Sequence, residues 1–180
     1  MIDEALPTRQ PMTTRKPRQT MDKIRVLFVC TGNICRSPSA EGILRQKAEA
    51  AGLAARIEVD SAGTHGYHRG DPPDPRAIRQ AARRGYDLSD LRARTLSDDD
   101  FTRFDLIVGM DGGHMRILER TAPAGTGAEF RLLMDYAGAA KGAREVPDPY
   151  YGGPDDYDMA LDLIEAGVDG LLGSLRQRLA

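Results

Sequence analysis

The segment from residue 26 to residue 41 constrains the fold more than any other part of the chain. Residues 26–29 are continuously apolar, which is typical of a strand that is buried on both faces. Gly32 and Asn33 tolerate positive φ angles and allow the backbone to turn sharply. Ser37 is a favourable N-cap and Pro38 a favourable first helical residue, so the segment predicts a strand, a tight loop and a helix in direct succession.

The same segment carries two side chains suited to phosphate chemistry, Cys30 at the start of the loop and Arg36 at its end. A curled loop that leads into a helix directs several backbone N–H groups into one concavity, where they bind a tetrahedral oxyanion or stabilise a thiolate. The planar guanidinium of Arg36 can hold two phosphate oxygens at once. A Cys-x5-Arg spacing alone is weak evidence, but in this context it predicts phosphoryl transfer to the Cys30 sulfur.

A second candidate group, Asp148, lies between two prolines in the last third of the chain. Pro147 and Pro149 restrict the backbone on both sides of the carboxylate, which predicts a rigid, extended loop. On its own an Asp-Pro sequence most often marks a turn. Because phosphoryl transfer to Cys30 needs a proton donor for the leaving group, and no other acid is evident, Asp148 is predicted to be the general acid.

The composition excludes several classes of function. The chain has 180 residues and a net charge of −2, which suits one domain and argues against nucleic-acid binding. No apolar stretch is long enough to span a membrane. Cys30 and Cys35 lie in one loop, so no disulfide framework is expected, and His65, His68 and His114 are not spaced as zinc ligands. A nucleophilic thiol needs a reducing compartment, which predicts the cytoplasm.

Strand and helix patterns alternate along the rest of the chain. Further strands are predicted at residues 56–61, 104–110 and 129–134, and an amphipathic helix is predicted from Asp155 onward. The alternation predicts a single open α/β domain with a four-stranded parallel sheet and helices on both faces. Residues 1–22 are polar, contain three prolines and lack periodicity, so they are predicted to be a disordered N-terminal extension to a domain at 23–180.

Two motifs resemble those of the low-molecular-weight protein tyrosine phosphatases. Cys30-Thr-Gly-Asn-Ile-Cys-Arg-Ser37 is similar to the signature loop of that family, and Asp148-Pro-Tyr-Tyr151 is similar to its acid loop. The resemblance runs from residue 23 to the C-terminus and implies the strand order 2-1-3-4. It also implies hydrolysis of phosphotyrosyl protein through a phosphocysteine intermediate, with no metal and no other cofactor. The expected partner is the phosphotyrosyl substrate, for a monomer or weak dimer without membrane insertion.

In this interpretation Cys30 is the nucleophile, and Asp148 is first the general acid and then the general base. Arg36 holds the phosphate oxygens together with the backbone N–H groups of the loop. The Ser37 hydroxyl is expected to donate to the Cys30 sulfur and help it leave. The residues assigned to phosphate binding are Thr31, Gly32, Asn33, Ile34 and Cys35.

The resemblance further implies groups that support or border the site. Ser61 is expected to hydrogen-bond the loop asparagine, and Asp111 to support the edge of the site indirectly. An aromatic side chain at Tyr67 is expected to stand beside the substrate ring. Tyr150 and Tyr151 are predicted to complete an aromatic wall around a slot deep enough for phosphotyrosine.

Cys35 is expected to form a reversible disulfide with Cys30, because relatives share this pair of cysteines. Such a disulfide would protect the nucleophile from irreversible oxidation and make the activity redox-regulated. The alternative is that Cys35 is simply a second loop cysteine that faces the core.

Three other functions fit parts of the pattern. A protein arginine phosphatase of the same family is the main alternative, but such enzymes usually carry Thr at the position of Ile34, so Ile34 favours phosphotyrosine. An arsenate reductase of the same fold needs two further cysteines, whereas this chain has only the two in its loop. A catalytically silent phosphopeptide reader would keep Arg36 but need not keep Cys30 together with Asp148.

Overall fold

The computed structural model describes residues 22–138 and 142–180, so the predicted extension at 1–22 lies outside the described residues except for Asp22. The chain forms a four-stranded sheet in the order β2-β1-β3-β4. All three strand pairs are parallel, which confirms the predicted architecture. The strands are β1 Ile24–Cys30, β2 Ile57–Gly63, β3 Leu106–Gly109 and β4 Glu129–Leu132. Strand β4 ends earlier than predicted because the chain turns there into a 3-10 helix.

Helices connect the strands and cover the sheet. They are α1 Arg36–Ala50, α2 Pro75–Arg83, α3 Asp100–Arg103, α4 Gly112–Thr121, the 3-10 helix Leu133–Tyr136 and α5 Pro154–Leu179. In the portion of the chain that the structure describes, no helix has both the length and the apolar character that crossing a bilayer requires.

Strand β1 lies in the middle of the core and is buried on both faces, as its apolar run predicts. Phe28 packs on one face in the larger cluster, with Leu44 of α1 and Leu171 of α5. Leu27 packs on the opposite face in a smaller cluster, with Phe101 of α3. Each such fully buried side chain stabilises the fold by roughly 2 kcal/mol, and the two clusters confirm that helices cover both faces.

Helix α5 lies so close to the 3-10 helix that two of its positions have no room for a side chain. A Cβ at Gly170 would collide with the backbone carbonyl of Tyr136, and a Cβ at Gly167 would collide with the side chain of Leu133. Glycine in a helix interior costs about 1 kcal/mol relative to alanine. The close packing of the two helices explains why glycine occurs at both positions.

The start of α1 differs from the sequence prediction of Ser37 as the N-cap. The helix begins at Arg36 with Cys35 as the N-cap, and the Cys35 side chain makes no capping hydrogen bond. Ser37 lies within the first turn, where its hydroxyl contacts the sulfur of Cys30. The prediction of Ser37 as the cap is therefore wrong, because this hydroxyl is engaged by a neighbouring side chain and not by the backbone of its own helix.

The carboxyl ends of three strands meet at one edge of the sheet. Cys30 at the end of β1 is in register with Gly63 of β2, and its neighbour Val29 is in register with Gly109 of β3. Ligands of open α/β sheets bind at this edge. The loop after β1, residues 31–35, is therefore surrounded by the loops that follow β2 and β3.

Candidate active site

The end of β1 places Cys30 in a cavity of about 230 Å³. Arg36 and Asp148 line the same cavity, so the three side chains predicted to carry the chemistry come together. The loop after β1, which we call the β1–α1 loop, contributes Thr31, Gly32, Ile34 and Cys35 to the lining.

A directed chain of hydrogen bonds runs behind the Cys30 sulfur. Asn33 Nδ2 donates to the hydroxyl oxygens of Ser37 at 2.8 Å and Ser61 at 2.9 Å. The Ser61 hydroxyl in turn donates to Glu41 at 2.6 Å. The Ser37 Oγ lies 2.9 Å from the Cys30 Sγ. Since the Ser37 oxygen accepts from Asn33, the hydroxyl proton of Ser37 is directed at the sulfur.

Two groups from outside the loop hold this chain in place. The backbone N–H of Arg94 donates to Asn33 Oδ1 at 3.0 Å, so both ends of the Asn33 amide are paired. Glu41 is buried in α1, and burial raises the pKa of its carboxyl although hydrogen bonds from Ser61 and Arg45 act in the opposite direction. These contacts keep Asn33 in its left-handed backbone conformation, at φ 57°. Residues other than glycine and asparagine rarely adopt this conformation.

Strand β2 supports the β1–α1 loop from below. A Cβ at Gly63 would lie 2.8 Å from the Thr31 carbonyl oxygen, so only glycine fits there. The carbonyls of Cys30 and Thr31 accept from the N–H groups of Thr64 at 2.8 Å and His65 at 3.0 Å. Among the described residues, the N–H groups at positions 32–36 have no protein acceptor.

The Arg36 guanidinium is buried, with 3% of the residue exposed, and it bridges to two neighbouring loops. Its Nη1 donates to Asp111 Oδ2 at 2.8 Å and to the Val146 carbonyl at 3.0 Å. The resemblance predicts an indirect role for Asp111, whereas this contact is direct. Burial acts to raise the pKa of Asp111, but the hydrogen bond from Arg36 and the neighbouring His114 lower it overall.

Asp148 stands at the mouth of the cavity, with 46% of its side chain exposed. Its Oδ2 lies 3.6 Å from Arg36 Nη2, and its Oδ1 accepts from the Tyr150 N–H at 3.1 Å. The loop before it is tied down because the Val146 N–H donates to the Met110 carbonyl at 2.9 Å. The carboxylate is thus both anchored and accessible to solvent.

Tyr67, Tyr150 and Tyr151 all line the cavity, and we call these three residues the aromatic wall. Tyr67 is 74% exposed and Tyr151 is 94% exposed. The ring of Tyr67 stacks on His65 at 5.1 Å, and that of Tyr151 meets Tyr150 edge-on at 4.9 Å. The Tyr150 ring also lies 5.5 Å from the Arg76 guanidinium of α2, so Tyr150 anchors the wall while the rings of Tyr67 and Tyr151 stay open to solvent.

Both cysteines are free and buried. The Cys35 Sγ lies 3.4 Å from Tyr157 Oη of α5. Burial raises the pKa of the Cys35 thiol to about 12, so Cys35 is protonated at neutral pH.

Sequence reasoning missed two histidines at the site. His114 Nε2 lies 3.0 Å from the hydroxyl oxygen of Thr31, and His68 lines the cavity. His114 follows Asp111 by three residues, the spacing of a capping box, and this signal was available in the sequence. Across residues 22–138 and 142–180, no group of three or more His, Cys, Asp or Glu side chains is arranged to hold a metal ion.

The chain matches known proteins over nearly the whole described region. The family model for low molecular weight phosphotyrosine protein phosphatase matches residues 25–180. A low molecular weight protein-tyrosine-phosphatase from Streptomyces coelicolor is 49% identical over 156 residues, covering 86% of this chain and 94% of that protein.

Solved structures give the same result. A protein tyrosine phosphatase from Entamoeba histolytica superposes with a TM-score of 0.82 at 34% identity, covering 86% of this chain and 98% of that chain. A Drosophila arginine phosphatase superposes with a TM-score of 0.79 at 31% identity, covering 84% and 98%. With the family model, the curated relative and the structures in agreement, the chain belongs to the low molecular weight phosphotyrosine protein phosphatase family of hydrolases.

Proposed function

We propose that the protein hydrolyses phosphotyrosyl protein through a covalent phosphocysteine intermediate, without a metal ion. The observation that carries this proposal is the meeting of Cys30, Arg36 and Asp148 in one cavity. The Ser37 hydroxyl proton directed at the sulfur favours a thiolate nucleophile. The free N–H groups at positions 32–36 and the positive end of α1 supply the donors that a phosphate group needs.

In the first step the Cys30 thiolate attacks phosphorus, and the S–P bond forms as the bond to the tyrosyl oxygen breaks. Asp148 gives its proton to that oxygen, so the leaving group departs as a neutral phenol. Arg36 and the loop N–H groups hold the other phosphate oxygens.

In the second step a water molecule attacks phosphorus. Its proton passes to the ionised Asp148, the O–P bond forms and the S–P bond breaks. Inorganic phosphate is released and the Cys30 thiolate is restored, assisted by the hydrogen bond from Ser37. Each residue thus returns to its starting state.

The substrate class rests on the side chains around the cavity. Ile34 lines the cavity with an apolar surface, and Tyr67, Tyr150 and Tyr151 border it with aromatic rings. These groups favour the ring of a phosphotyrosyl side chain. Phosphoarginyl protein is the second candidate, because the chain is similar to an arginine phosphatase from Drosophila.

The decisive experiment measures phosphate release from a phosphotyrosyl peptide and from a phosphoarginyl peptide of the same sequence, with EDTA present. We expect turnover of the phosphotyrosyl peptide, complete loss in Cys30→Ser, and a lower kcat in Asp148→Asn. Asp148→Asn should lose less activity on a nitrophenyl phosphate, whose leaving group needs no proton. Preference for phosphoarginine would overturn the assigned substrate. Activity that is present without EDTA and absent with it would overturn the metal-independent mechanism.

We also infer that the activity is redox-regulated and operates in the cytoplasm, where thiols stay reduced. The two cysteines line the same cavity. Peroxide converts the Cys30 thiolate to a sulfenic acid, and the Cys35 sulfur then displaces water to form a disulfide. Peroxide-treated protein should recover activity with dithiothreitol, and Cys35→Ser should recover less. Equal recovery in the two proteins would contradict this role.

A further inference from the structure

His114, at the start of α4, is almost fully buried, with 2% of the residue exposed. Its Nδ1 faces two backbone donors, the N–H of Met110 at 3.3 Å and the N–H of Asp111 at 3.2 Å. The Asp111 Oδ1 also lies 3.3 Å from Nδ1, but it accepts from the His114 backbone N–H at 3.0 Å. Because Nδ1 accepts from two N–H groups, the ring proton lies on Nε2. Burial lowers the pKa of His114 to about 4, which agrees with a neutral ring in this tautomer.

The protonated Nε2 of His114 lies 3.0 Å from Thr31 Oγ1 and therefore donates to it. The hydroxyl oxygen of Thr31 acts as an acceptor in this contact, so its own proton is free to point elsewhere. Among the described residues, His114 is the only hydrogen-bond partner of this hydroxyl. Thr31 follows the predicted nucleophile directly and lines the cavity, so the cavity is where that proton finds an acceptor.

We propose that the Thr31 hydroxyl donates a hydrogen bond to a phosphoryl oxygen of the substrate, and that His114 is the positioning residue that fixes this hydroxyl. The inference rests on the proposed function and adds a side-chain donor to the backbone N–H groups of the loop. The arrangement is fixed before the substrate binds, because His114 itself is held by two backbone donors. A donor that needs no reorganisation contributes most where charge develops on the phosphate oxygens.

The first test compares Thr31→Val with Thr31→Ser. Valine keeps the shape but removes the donor, and serine keeps the donor. Because the lost hydrogen bond is to a charged oxygen, we expect kcat/KM to fall by about tenfold to 100-fold in Thr31→Val. Thr31→Ser should keep most of the activity of the unmodified protein. Inhibition by inorganic phosphate should weaken in parallel. Unchanged kcat/KM and unchanged phosphate inhibition in Thr31→Val would overturn the proposal.

The second test separates the action of His114 on Thr31 from its contacts with the backbone. In His114→Gln the side-chain amide reaches the place of Nε2 and can still donate to Thr31. In His114→Asn the shorter amide reaches only the place of Nδ1 and can still accept from the backbone. We expect the glutamine variant to keep more activity than the asparagine variant. The reverse order would indicate a purely structural histidine and overturn its positioning role.

A double-mutant cycle completes the test, with thermal unfolding as the control for folding. In the Thr31→Val background, His114→Asn should cause no further loss in kcat/KM, because both changes remove the same hydrogen bond. Fully additive losses would overturn the link between the two residues.

Calorimetry of inorganic phosphate binding to each folded variant tests the inference separately from the proposed function, because it does not depend on turnover. Turnover of neither phosphopeptide by the unmodified protein would refute the function, whereas equal phosphate binding with and without the Thr31 hydroxyl would refute the inference.

Discussion

The β1–α1 loop and the aromatic wall border the same cavity, but the chain holds them in different ways. In the loop, both ends of the Asn33 amide are paired and Arg36 is 3% exposed. In the wall, Tyr67 is 74% exposed and Tyr151 is 94% exposed. The loop is held from behind by β2, α1 and α4. In the wall, Tyr150 packs against Arg76 of α2, whereas the rings of Tyr67 and Tyr151 are mostly exposed.

In the proposed function, this difference gives the two regions different tasks. A phosphate group has one shape and one charge pattern, so a rigid loop with paired side chains and free backbone N–H groups suits it. The protein around a phosphotyrosine varies from substrate to substrate, and open aromatic faces accommodate that variation. Substitutions in the loop should therefore reduce rate and stability strongly, and substitutions in the wall should change mainly the affinity for extended substrates.

The largest effect is expected for Arg36→Lys. Lysine keeps the charge but loses the planar fork, and it cannot serve Asp111, Val146 and a phosphate group together. We expect kcat/KM for a phosphotyrosyl peptide to fall by about 100-fold to 1,000-fold, measured by steady-state phosphate release. The control is Arg92→Lys, an exposed position, which should match the unmodified protein. Activity of Arg36→Lys within threefold of the unmodified protein would contradict a rigid, geometry-dependent loop.

The buried His114 should make the stability of the loop region depend on pH. Its pKa is lowered from 6.5 in the unfolded chain to about 4 in the folded protein. As the pH falls through this window the unfolded state takes up a proton that the folded state excludes, so the unfolding free energy decreases by up to about 3 kcal/mol. Urea unfolding between pH 7 and pH 4 measures this slope.

The matched control replaces His65, the exposed histidine on which Tyr67 stacks. His114→Asn should flatten the decrease in unfolding free energy, whereas His65→Asn should leave it unchanged, because His65 is exposed. The same slope in His114→Asn and in the unmodified protein would mean that the buried ring does not carry the effect.

A smaller effect is expected at Asn33, where two substitutions distinguish the contribution of the side-chain hydrogen bonds from that of the backbone conformation. Asn33→Gly keeps the left-handed φ of 57° accessible but removes the hydrogen bonds to Ser37, Ser61 and Arg94. We expect it to lower the unfolding free energy by about 2 kcal/mol, measured by chemical denaturation. Asn33→Ala should lose about 1 kcal/mol more, since alanine is strained at positive φ. Equal losses in the two variants would show that the backbone conformation carries no part of the cost.

The smallest effect is expected in the wall. Tyr151→Ala should change the unfolding free energy by less than about 0.5 kcal/mol, because the ring is almost fully exposed. We expect KM to rise by a few-fold for a phosphotyrosyl peptide and to stay constant for a small aryl phosphate. A large fall in kcat for both substrates would remove the distinction between the loop and the wall.

Short-range patterns were sufficient to predict most of the fold. The apolar run of β1, the Gly-Asn turn and the periodicity of α5 are local features, and each predicted the element that the structure contains. The strand order came from the resemblance. Ser37 shows the limit of local rules, because a good capping residue was recruited by Cys30 and Asn33.

The candidate site was predictable only in part. Cys30, Arg36 and Asp148 could be found because their residue types and neighbours point to one chemistry. The contacts from Arg36 to Asp111 and from Thr31 to His114 join positions 75 and 83 residues apart. Such pairs depend on how β1 and β3 lie side by side in the sheet, and no local pattern encodes that distance.

Helix α1 lacks a side-chain cap on its own N-terminus, and this gives the phosphate a role beyond that of a substrate group. An oxyanion that accepts from the first N–H groups of the helix is the missing cap. Phosphate binding and the stability of the first helical turn are then coupled. Each state of the reaction cycle that holds a phosphoryl group therefore stabilises the N-terminal end of α1. Hydrogen exchange at the amide of Arg36 should therefore slow when inorganic phosphate binds, while the amides near Ala50 at the far end of the helix keep their rates.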